Sequence, residues 1–368
     1  MLAPFKLERY FARYEFTTRY LLCASDAEAM PIRDLLALEP GAAERFDDVW
    51  LGYTESRGSP ELREAIATLY PLTGADGVLV HAGTQEAIFT LLSVLAGTGD
   101  HVIAQFPAYQ SQYAVVEASG AEVSRWHSDL TRDGAPDPDD LERLVRPSTR
   151  ALIVTSPNNP TGFVFERERL DRTIEFARKH GLWLVSDEVY RGSEHDPQWR
   201  LPPVCDLYER GISLGGTAKS YGLAGLRIGW TVTGDAQLYE RLASFKDYLT
   251  ICNSAPSEFL ATVGMRHGDE LIERVQRIVT RNLDLLDAYF ARHTGTWQWR
   301  RPRAGTTAFP RYLRGDTDRL CAELIENAGV LLLPSSVFDC GNDRVRIGYG
   351  RANLPDALAV MERYIDDL

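Results

Sequence analysis

Between residues 78 and 232, short apolar runs alternate with segments of helical periodicity, and this alternation limits the possible folds more than any other feature of the chain. Helical patterns cover residues 85–95, 109–118 and 167–180. The apolar runs that flank them lie at residues 78–80, 102–104, 151–154, 182–185 and 212–214. Strands that alternate with helices form a mainly parallel sheet covered by helices on both faces. The sequence therefore predicts an α/β fold in which helices sandwich the sheet.

The pattern changes after residue 257. A long helical stretch over residues 260–293 is followed by separated apolar runs at residues 307–309, 330–333 and 344–347. This order is typical of a smaller α+β domain, which we expect the N-terminal helical segment, residues 5–22, to join. At 368 residues the chain also exceeds the ~250–300 residues that a single core usually supports. We predict an N-terminal arm (1–45), a large domain (46–256) and a small C-terminal domain (257–368).

The amino-acid composition limits the kinds of molecule that this protein is expected to bind. The chain carries 52 acidic and 40 basic residues, a net charge of -12, which disfavours a nucleic-acid partner. Its five cysteines are widely spaced and form no pattern typical of a metal site or a disulfide framework. No apolar run resembles a signal peptide or reaches the ~18 residues of a membrane span. We expect a cytoplasmic protein that binds small molecules, with neither a membrane nor a nucleic-acid partner and no metal.

Four polar motifs follow apolar runs directly, at residues 83–87, 156–162, 186–190 and 215–229. Sheets of the predicted kind bind ligands beyond the carboxyl ends of their strands, where these motifs would lie. The last motif contains Lys219 between glycine-rich flanks, with Arg227 eight residues later. A lone lysine is usually a surface charge. The glycine-rich flanks and the nearby arginine instead favour a role of Lys219 as the covalent anchor of a cofactor.

In order and spacing these motifs resemble those of fold-type I pyridoxal 5'-phosphate (PLP) enzymes of the class I/II aminotransferase family, from about Tyr53 to Arg346. The resemblance implies that Lys219 forms an internal aldimine with PLP and, once released by substrate, shuttles the α-proton. It implies that Asp187 keeps the pyridine nitrogen protonated. It further implies that Tyr190 and Asn159 donate hydrogen bonds to the 3-oxygen of the ring.

The same resemblance implies a site for the cofactor phosphate. Gly83, Thr84 and Gln85 begin a helix, whose backbone N–H groups and dipole attract an anion. Arg227 would add a charged fork to the same phosphate. Tyr53 resembles the tyrosine that family members donate to the phosphate of the partner subunit, which implies a homodimer with shared active sites.

Further residues are assigned to the ring and the substrate. By resemblance, Tyr109 stacks on the cofactor ring, and Arg346, together with Asn159, binds the α-carboxylate of the substrate. We also hypothesise that Asp26 and Glu28 face a basic side chain of the substrate. The alternative for these two carboxylates is a solvated loop.

The chain departs from the family pattern at two places. Ala218 and Gly216 stand where many members have phosphate-binding serines, and whether Thr217 replaces that contact is open. Residues 21–28 lack the Asn-Pro loop that is common in the family. Because such a segment lines the mouth of the substrate pocket, the identity of the substrate is open as well. Tyr248 and Asn253, at the start of the second domain, are further candidates to line the pocket.

Transamination between an L-amino acid and a 2-oxo acid is the function that the resemblance favours. Two other outcomes of the same cofactor chemistry stay open, namely β- or γ-elimination and a cyclising or oxidising reaction on an arginine-like amino acid. A nucleotide hydrolase is disfavoured, because its phosphate loop needs glycine directly before the lysine and Ala218 stands there.

Overall fold

The computed structural model describes residues 2–132 and 134–367. Its α-helices are α1 (Lys6–Tyr14), α2 (Ile32–Leu36), α3 (Ala42–Asp47), α4 (Pro60–Ala67), α5 (Thr84–Leu95), α6 (Ser111–Ala118), α7 (Leu141–Leu144), α8 (Arg167–Lys179), α9 (Val204–Leu207), α10 (Ala236–Lys246), α11 (Ala255–Arg266), α12 (Gly268–Arg292), α13 (Thr317–Ala328) and α14 (Leu354–Asp366). Short 3-10 helices cover Ala75–Gly77, Pro138–Asp140, Pro197–Trp199, Ala224–Leu226 and Ser335–Phe338. Within the described ranges, no helix combines the length and the apolarity needed to cross a bilayer.

The strands are β1 (Tyr20–Leu21), β2 (Val78–His81), β3 (His101–Phe106), β4 (Glu122–His127), β5 (Thr149–Thr155), β6 (Trp183–Asp187), β7 (Gly211–Gly216), β8 (Gly229–Thr233), β9 (Trp297–Gln298), β10 (Thr307–Ala308), β11 (Arg311–Tyr312), β12 (Val330–Leu331), β13 (Leu333–Pro334) and β14 (Val345–Gly348). The central sheet has the order β2-β8-β7-β6-β5-β3-β4. Strands β3 to β7 are parallel to one another, whereas β8 runs antiparallel to β2 and β7. The predicted α/β fold with a mainly parallel sheet is confirmed.

Both faces of this sheet are buried, as the continuous apolar runs of its strands require. Consecutive residues of β5 show this, because Ile153 packs with Leu91 of α5 on one face while Leu152 packs with Phe176 of α8 on the other. No apolar run was identified for β8, where glycine and threonine alternate with apolar residues. Strand β4 was not predicted either. It lies at the edge of the sheet, and its side chains are mostly charged, polar and partly exposed, so it carries no apolar run.

A second set of short strands forms around β14, which pairs antiparallel with β10 and β13. The predicted strand over residues 330–333 is divided, because β12 pairs with β1 whereas β13 pairs with β14. The predicted helix over residues 5–22 ends at Tyr14, and Tyr20–Leu21 form β1 instead. The N-terminal segment thereby pairs a strand with β12, and its membership of the smaller domain stays a proposal.

The domain boundaries at residues 45 and 256 stay proposals, and the packing suggests where the two cores meet. Helix α11 packs against α2, α3 and α4, in one apolar cluster with Trp230 of β8. The core of the smaller unit includes Leu22, Val275 of α12 and Ile347 of β14. Apart from the N-terminal residues that join it, the apolar core of the smaller unit therefore begins within α12.

Candidate active site

A cavity of about 360 Å³ lies at the carboxyl ends of the parallel strands and is bounded on one side by helix α1. Nine of the residues singled out in the sequence line it, namely Asp26, Thr84, Gln85, Tyr109, Asn159, Asp187, Tyr190, Lys219 and Arg227. A larger pocket of about 950 Å³, lined in part by Arg200, Tyr221 and His267, contains none of them. The smaller cavity is therefore the candidate active site, because it contains the residues predicted to bind the cofactor and the substrate.

Lys219 lies in the loop after β7, and its Nζ donates a hydrogen bond to Ser25 Oγ at 2.9 Å. Burial lowers the pKa of this amine from 10.5 to about 8, against the opposing effect of the Asp26 carboxylate. The cause is the loss of hydration, which penalises the charged form. At pH 7.5 about a quarter of such an amine is neutral, against about one part in a thousand for an exposed lysine. Lys219 is therefore prepared to act as a nucleophile and a base.

Glycines allow the start of helix α5 to approach this loop. A Cβ atom on Gly216 would lie 2.3 Å from Thr84 Oγ1, and one on Gly229 would lie 2.3 Å from the Thr84 backbone N. The Thr84 hydroxyl in turn donates to the Gly215 carbonyl at 2.9 Å. Side chains at these glycines would separate the strands from the helix, so the glycines bring the positive end of the α5 dipole to Lys219.

The start of α5 and Arg227 form a cradle suited to a phosphate. Gly83 precedes the helix with a φ of 87°, and a Cβ atom there would lie 2.7 Å from Arg227 Nη2. Arg227 itself has a φ of 52° and donates from Nη1 to the Ala224 carbonyl at 3.1 Å. Free helix N–H groups beside a guanidinium are typical of phosphate binding.

Thr217 does not face this cradle. Its hydroxyl is buried and lies within hydrogen-bonding distance of the carbonyls of Leu223, at 3.3 Å, and Ile228, at 3.2 Å. The hydroxyl therefore holds the loop around Lys219, and these contacts argue against its use for a phosphate.

Asp187, at the end of β6, is a buried carboxylate held by uncharged donors. Gln112 Nε2 donates to its Oδ2 at 2.7 Å, and the Val189 N–H donates to its Oδ1 at 3.2 Å. Burial raises the pKa of Asp187 to about 6, while these hydrogen bonds and the Lys219 charge act in the other direction. A buried carboxylate stabilised only in this way suits a cationic ligand atom, such as a protonated pyridine nitrogen.

Arg346, on β14, is fully buried next to the cavity. Its Nε donates to the Cys23 carbonyl and its Nη1 to Asn159 Oδ1, both at 3.1 Å, whereas Nη2 has no hydrogen-bond partner among the described residues. The rings of Phe11 and Phe338 lie 5.7 and 5.6 Å from the guanidinium. A buried guanidinium with a free donor is suited to bind the carboxylate of an amino acid. The hydrogen bond with Asn159 fixes the orientation of the guanidinium.

The two tyrosines of the cavity are both hydrogen-bonded within the protein. Tyr190 donates to the Ser25 carbonyl at 3.1 Å, and burial raises its pKa to about 12. Tyr109 donates to Glu8 Oε1 at 2.6 Å, and its ring lies 4.8 Å from that of Phe5. The roles of Tyr190 and Asn159 toward the ring oxygen, and of Tyr109 in stacking, stay predictions.

The two carboxylates assigned to a basic substrate group differ in position. Asp26 lines the cavity, but its oxygens accept hydrogen bonds from Arg351 Nε at 3.1 Å and Nη2 at 2.9 Å. Glu28 does not line it and accepts from the Ala352 N–H at 2.8 Å. Asp26 therefore contributes charge to the cavity, although its oxygens are already paired.

Three other candidates lie away from the cavity. Tyr53 is 86% exposed and Tyr248 is 90% exposed, and apolar side chains such as Trp50 and Ile251 are exposed near them in sequence. Asn253 is buried and donates to Glu258 Oε1 at 2.8 Å. In the part of the chain that the structure describes, none of the three lines the cavity of its own subunit.

Sequence reasoning gave no role to several residues of the cavity. Leu7, Glu8, Phe11 and Glu15 all line it from α1 or its end. Leu7 and Glu8 are adjacent, and Phe11 and Glu15 follow at intervals of three and four residues, so all four lie on one helix face, a signal that could have identified them. Ser25 carries no comparable signal, because its contact with Lys219 joins positions 194 residues apart.

Comparisons with known proteins agree with this geometry. The family model for class I and II aminotransferases matches residues 23–360. Capreomycidine synthase from Streptomyces vinaceus is 30% identical over 360 residues, which cover 96% of this chain and 92% of that protein. A PLP-dependent aminotransferase from Streptococcus suis 89-1591 superposes with a TM-score of 0.94 at 28% identity, covering 100% and 98% of the two chains. The PLP-dependent cyclase OrfR gives 0.91 at 30% identity, with the same coverage.

Family match, fold and cavity agree, and the chain belongs to the class I and II aminotransferases, a family of PLP-dependent enzymes.

Proposed function

We propose that this protein is a PLP-dependent aminotransferase that moves the amino group of an L-amino acid to a 2-oxo acid. One observation carries the proposal, namely that Lys219 and Asp187 line one cavity while Arg346 lies directly behind its wall, hydrogen-bonded to the lining residue Asn159. The first offers an amine with a pKa of about 8, the second a buried carboxylate and the third a buried guanidinium with a free donor. The amine of Lys219 suits the covalent anchor of the cofactor, the carboxylate of Asp187 suits the pyridine nitrogen, and the guanidinium of Arg346 suits the carboxylate of the substrate.

The residues present fit the cofactor. Asp187 would meet the pyridine nitrogen, the start of α5 with Arg227 would hold the phosphate, Lys219 would bind the aldehyde and Tyr109 would cover the ring. When bound, PLP supplies an electron-poor ring that accepts the electron pair of a breaking bond at the substrate α-carbon.

The chain's own groups would bind the substrate and move its proton. Arg346, oriented by Asn159, binds the carboxylate and thereby turns the Cα–H bond toward Lys219. The neutral amine of Lys219 takes the α-proton, because its lowered pKa leaves a substantial fraction unprotonated near neutral pH. Phe11 and Leu7, on α1, cover the cavity with apolar side chains and limit the access of water.

We propose further that two copies of the chain share their active sites and that the enzyme works in the cytoplasm. Exposed aromatic residues such as Trp50 and Tyr53 form the kind of surface that a partner covers. In that arrangement Tyr53 would donate to the cofactor phosphate of the partner. Tyr53→Phe should then weaken PLP binding without dissociating the dimer, as measured by cofactor titration and by light scattering. A monomeric holoenzyme would contradict the arrangement.

The reaction type can be tested with the purified holoenzyme and a panel of amino acids, without any 2-oxo acid. A transaminase should convert its visible cofactor band to the pyridoxamine form in one turnover, and a 2-oxo acid should then restore the band. The Lys219→Ala variant is the control and should show no catalytic conversion. Release of ammonia, or a cyclised product formed while the band persists, would refute transamination.

The second candidate is a cyclising reaction on an arginine-like amino acid, and the acidic wall of the cavity favours it. Glu8, Glu15 and Asp26 all line the cavity on the side of the N-terminal segment. Burial raises the pKa of Glu15. The Arg351 guanidinium opposes this shift, whereas the Asp26 and Glu8 carboxylates add to it. A guanidinium in the substrate would relieve this concentration of negative charge. The similarity to capreomycidine synthase and to the cyclase OrfR supports the same candidate.

Arginine and citrulline have similar shapes, but only arginine carries a side-chain charge, so the pair isolates the effect of Glu15. Glu15→Gln should lower kcat/KM for arginine about tenfold and leave citrulline nearly unchanged, the tenfold loss corresponding to ~1.4 kcal/mol. Glu44→Gln, on the exposed surface of α3, is the matched control. Equal losses for both substrates would contradict an electrostatic role of Glu15.

A further inference from the structure

The side chain of Ser25 contacts the Lys219 amine, and its backbone is fixed from two sides. The Ser25 carbonyl accepts hydrogen bonds from Tyr190 Oη at 3.1 Å and from Thr306 Oγ1 at 2.7 Å. The next residue, Asp26, is held by both nitrogens of the Arg351 fork. These contacts leave the Ser25 side chain directed at Lys219, with Oγ 2.9 Å from Nζ.

Close packing against the end of β14 restricts the same segment further. A Cβ atom on Gly348 would lie 1.9 Å from the Ala24 carbonyl oxygen, and one on Gly350 would lie 2.4 Å from that of Asp26. The Gly348 N–H donates to the Leu22 carbonyl at 2.9 Å, and the Glu28 N–H donates to the Gly350 carbonyl at 2.8 Å. The segment therefore lies directly on the strand end that carries Arg346, and Ser25 cannot move independently of the substrate carboxylate site.

A hydroxyl is chemically suited to hold this particular amine. It accepts a hydrogen bond from an ammonium and donates one to a neutral amine, so it contacts Lys219 in both protonation states. A carboxylate at the same distance would favour the charged form and raise the pKa of Lys219. Ser25 therefore fixes the position of the amine while opposing the downward pKa shift that burial produces less than a carboxylate would.

We propose that Ser25 is a positioning residue for Lys219, and that its hydroxyl holds the released amine beside the substrate α-carbon during proton transfer. This inference rests on the proposed function. In the step concerned, the neutral amine forms an N–H bond with the α-proton, the Cα–H bond breaks, and its electron pair stays with the substrate and cofactor. The resulting ammonium then donates to Ser25 Oγ, whose own hydrogen turns away.

Three variants of the holoenzyme separate the hydrogen bond from the shape of the side chain. Ser25→Ala removes the hydroxyl, Ser25→Cys keeps the size but forms weak hydrogen bonds, and Ser25→Thr keeps the hydroxyl. The readout is exchange of the substrate α-proton with D₂O, followed by mass spectrometry, in an amino acid that the wild-type enzyme exchanges. We expect the Ala and Cys variants to exchange about tenfold more slowly and the Thr variant to stay within about threefold of wild type.

A second readout needs neither cofactor nor turnover. In the cofactor-free protein, the pH dependence of Lys219 acylation by a small anhydride, measured by peptide mass spectrometry, reports the protonation of the amine. Loss of the hydroxyl acceptor should move the midpoint to lower pH in the Ala variant, because the acceptor favours the charged form, and leave it near wild type in the Thr variant.

The two readouts distinguish the failure of the inference from the failure of the proposed function. Wild-type exchange rates and an unchanged acylation midpoint in the Ala and Cys variants would overturn the role of Ser25. Should the wild-type protein exchange no amino acid, the proposed function fails. In that event the acylation midpoint alone decides whether Ser25 holds Lys219, and an unchanged midpoint in the Ala variant overturns the contact.

Discussion

Replacing Lys219 with methionine should stabilise the cofactor-free protein, because the fold keeps a partly charged amine away from water. The pKa of Lys219 is lowered from 10.5 to about 8 by burial, so the unfolded chain binds the proton more tightly than the folded protein. At about 1.4 kcal/mol per pKa unit, the burial costs ~3 kcal/mol at pH 7.5. Methionine fills a similar volume without a charge, so Lys219→Met should recover most of that free energy.

The pH dependence of this effect provides the decisive check. Between pH 8 and 10.5 the wild-type protein gains stability as pH rises, since the unfolded chain still binds the proton that the folded protein has lost. The advantage of Lys219→Met should therefore shrink from ~3 kcal/mol at pH 7.5 to below ~1 kcal/mol at pH 10. Urea unfolding of the cofactor-free proteins measures it, and Lys179→Met, at an exposed position on α8, is the control. A difference that does not change with pH, or a less stable Lys219→Met, would refute the reasoning.

Two further predictions concern the ring and the N-terminal segment. Asp187→Asn should retain bound cofactor but lower kcat at least ~100-fold, because the neutral amide cannot keep the pyridine nitrogen protonated; near wild-type kcat at saturating PLP would contradict this role. Gly348→Ala should lower the free energy of unfolding by ~1–3 kcal/mol, since its Cβ atom would lie 1.9 Å from the Ala24 carbonyl oxygen. Gly295→Ala, where a Cβ atom meets open space, is the control for the urea titration, and equal effects of the two substitutions would argue against the close packing.

The sequence predicted most strands of the central sheet that are buried on both faces, because such burial produces continuous apolar runs. Strand β5, for example, extends only a few residues beyond the predicted run at residues 151–154. Strand β8 is the exception, since glycine and threonine interrupt its apolar residues. The edge strand β4 has no such run, since its side chains are largely exposed. Motifs at the carboxyl ends of strands were also readable, because the topology of a parallel sheet brings those ends together.

Contacts between distant segments could not be read in the same way. Asp26 was singled out for its charge, but its pairing with Arg351 joins positions 325 residues apart. The contact of Ser25 with Lys219 likewise depends on how the N-terminal segment packs on β14. Periodicity and local motifs carry no information about such pairs, so the substrate side of the cavity was less predictable than the cofactor side.

The central claim, that Lys219 anchors the cofactor, can be tested by reducing the holoenzyme with borohydride and locating the label by peptide mass spectrometry. The other lysines of the chain are Lys6, Lys179 and Lys246, and Lys246 is the most informative comparison because it is buried. The account predicts a pyridoxyl phosphate label on the peptide that contains Lys219 and its loss in Lys219→Ala. A label on Lys246, or one that persists in Lys219→Ala, would contradict it.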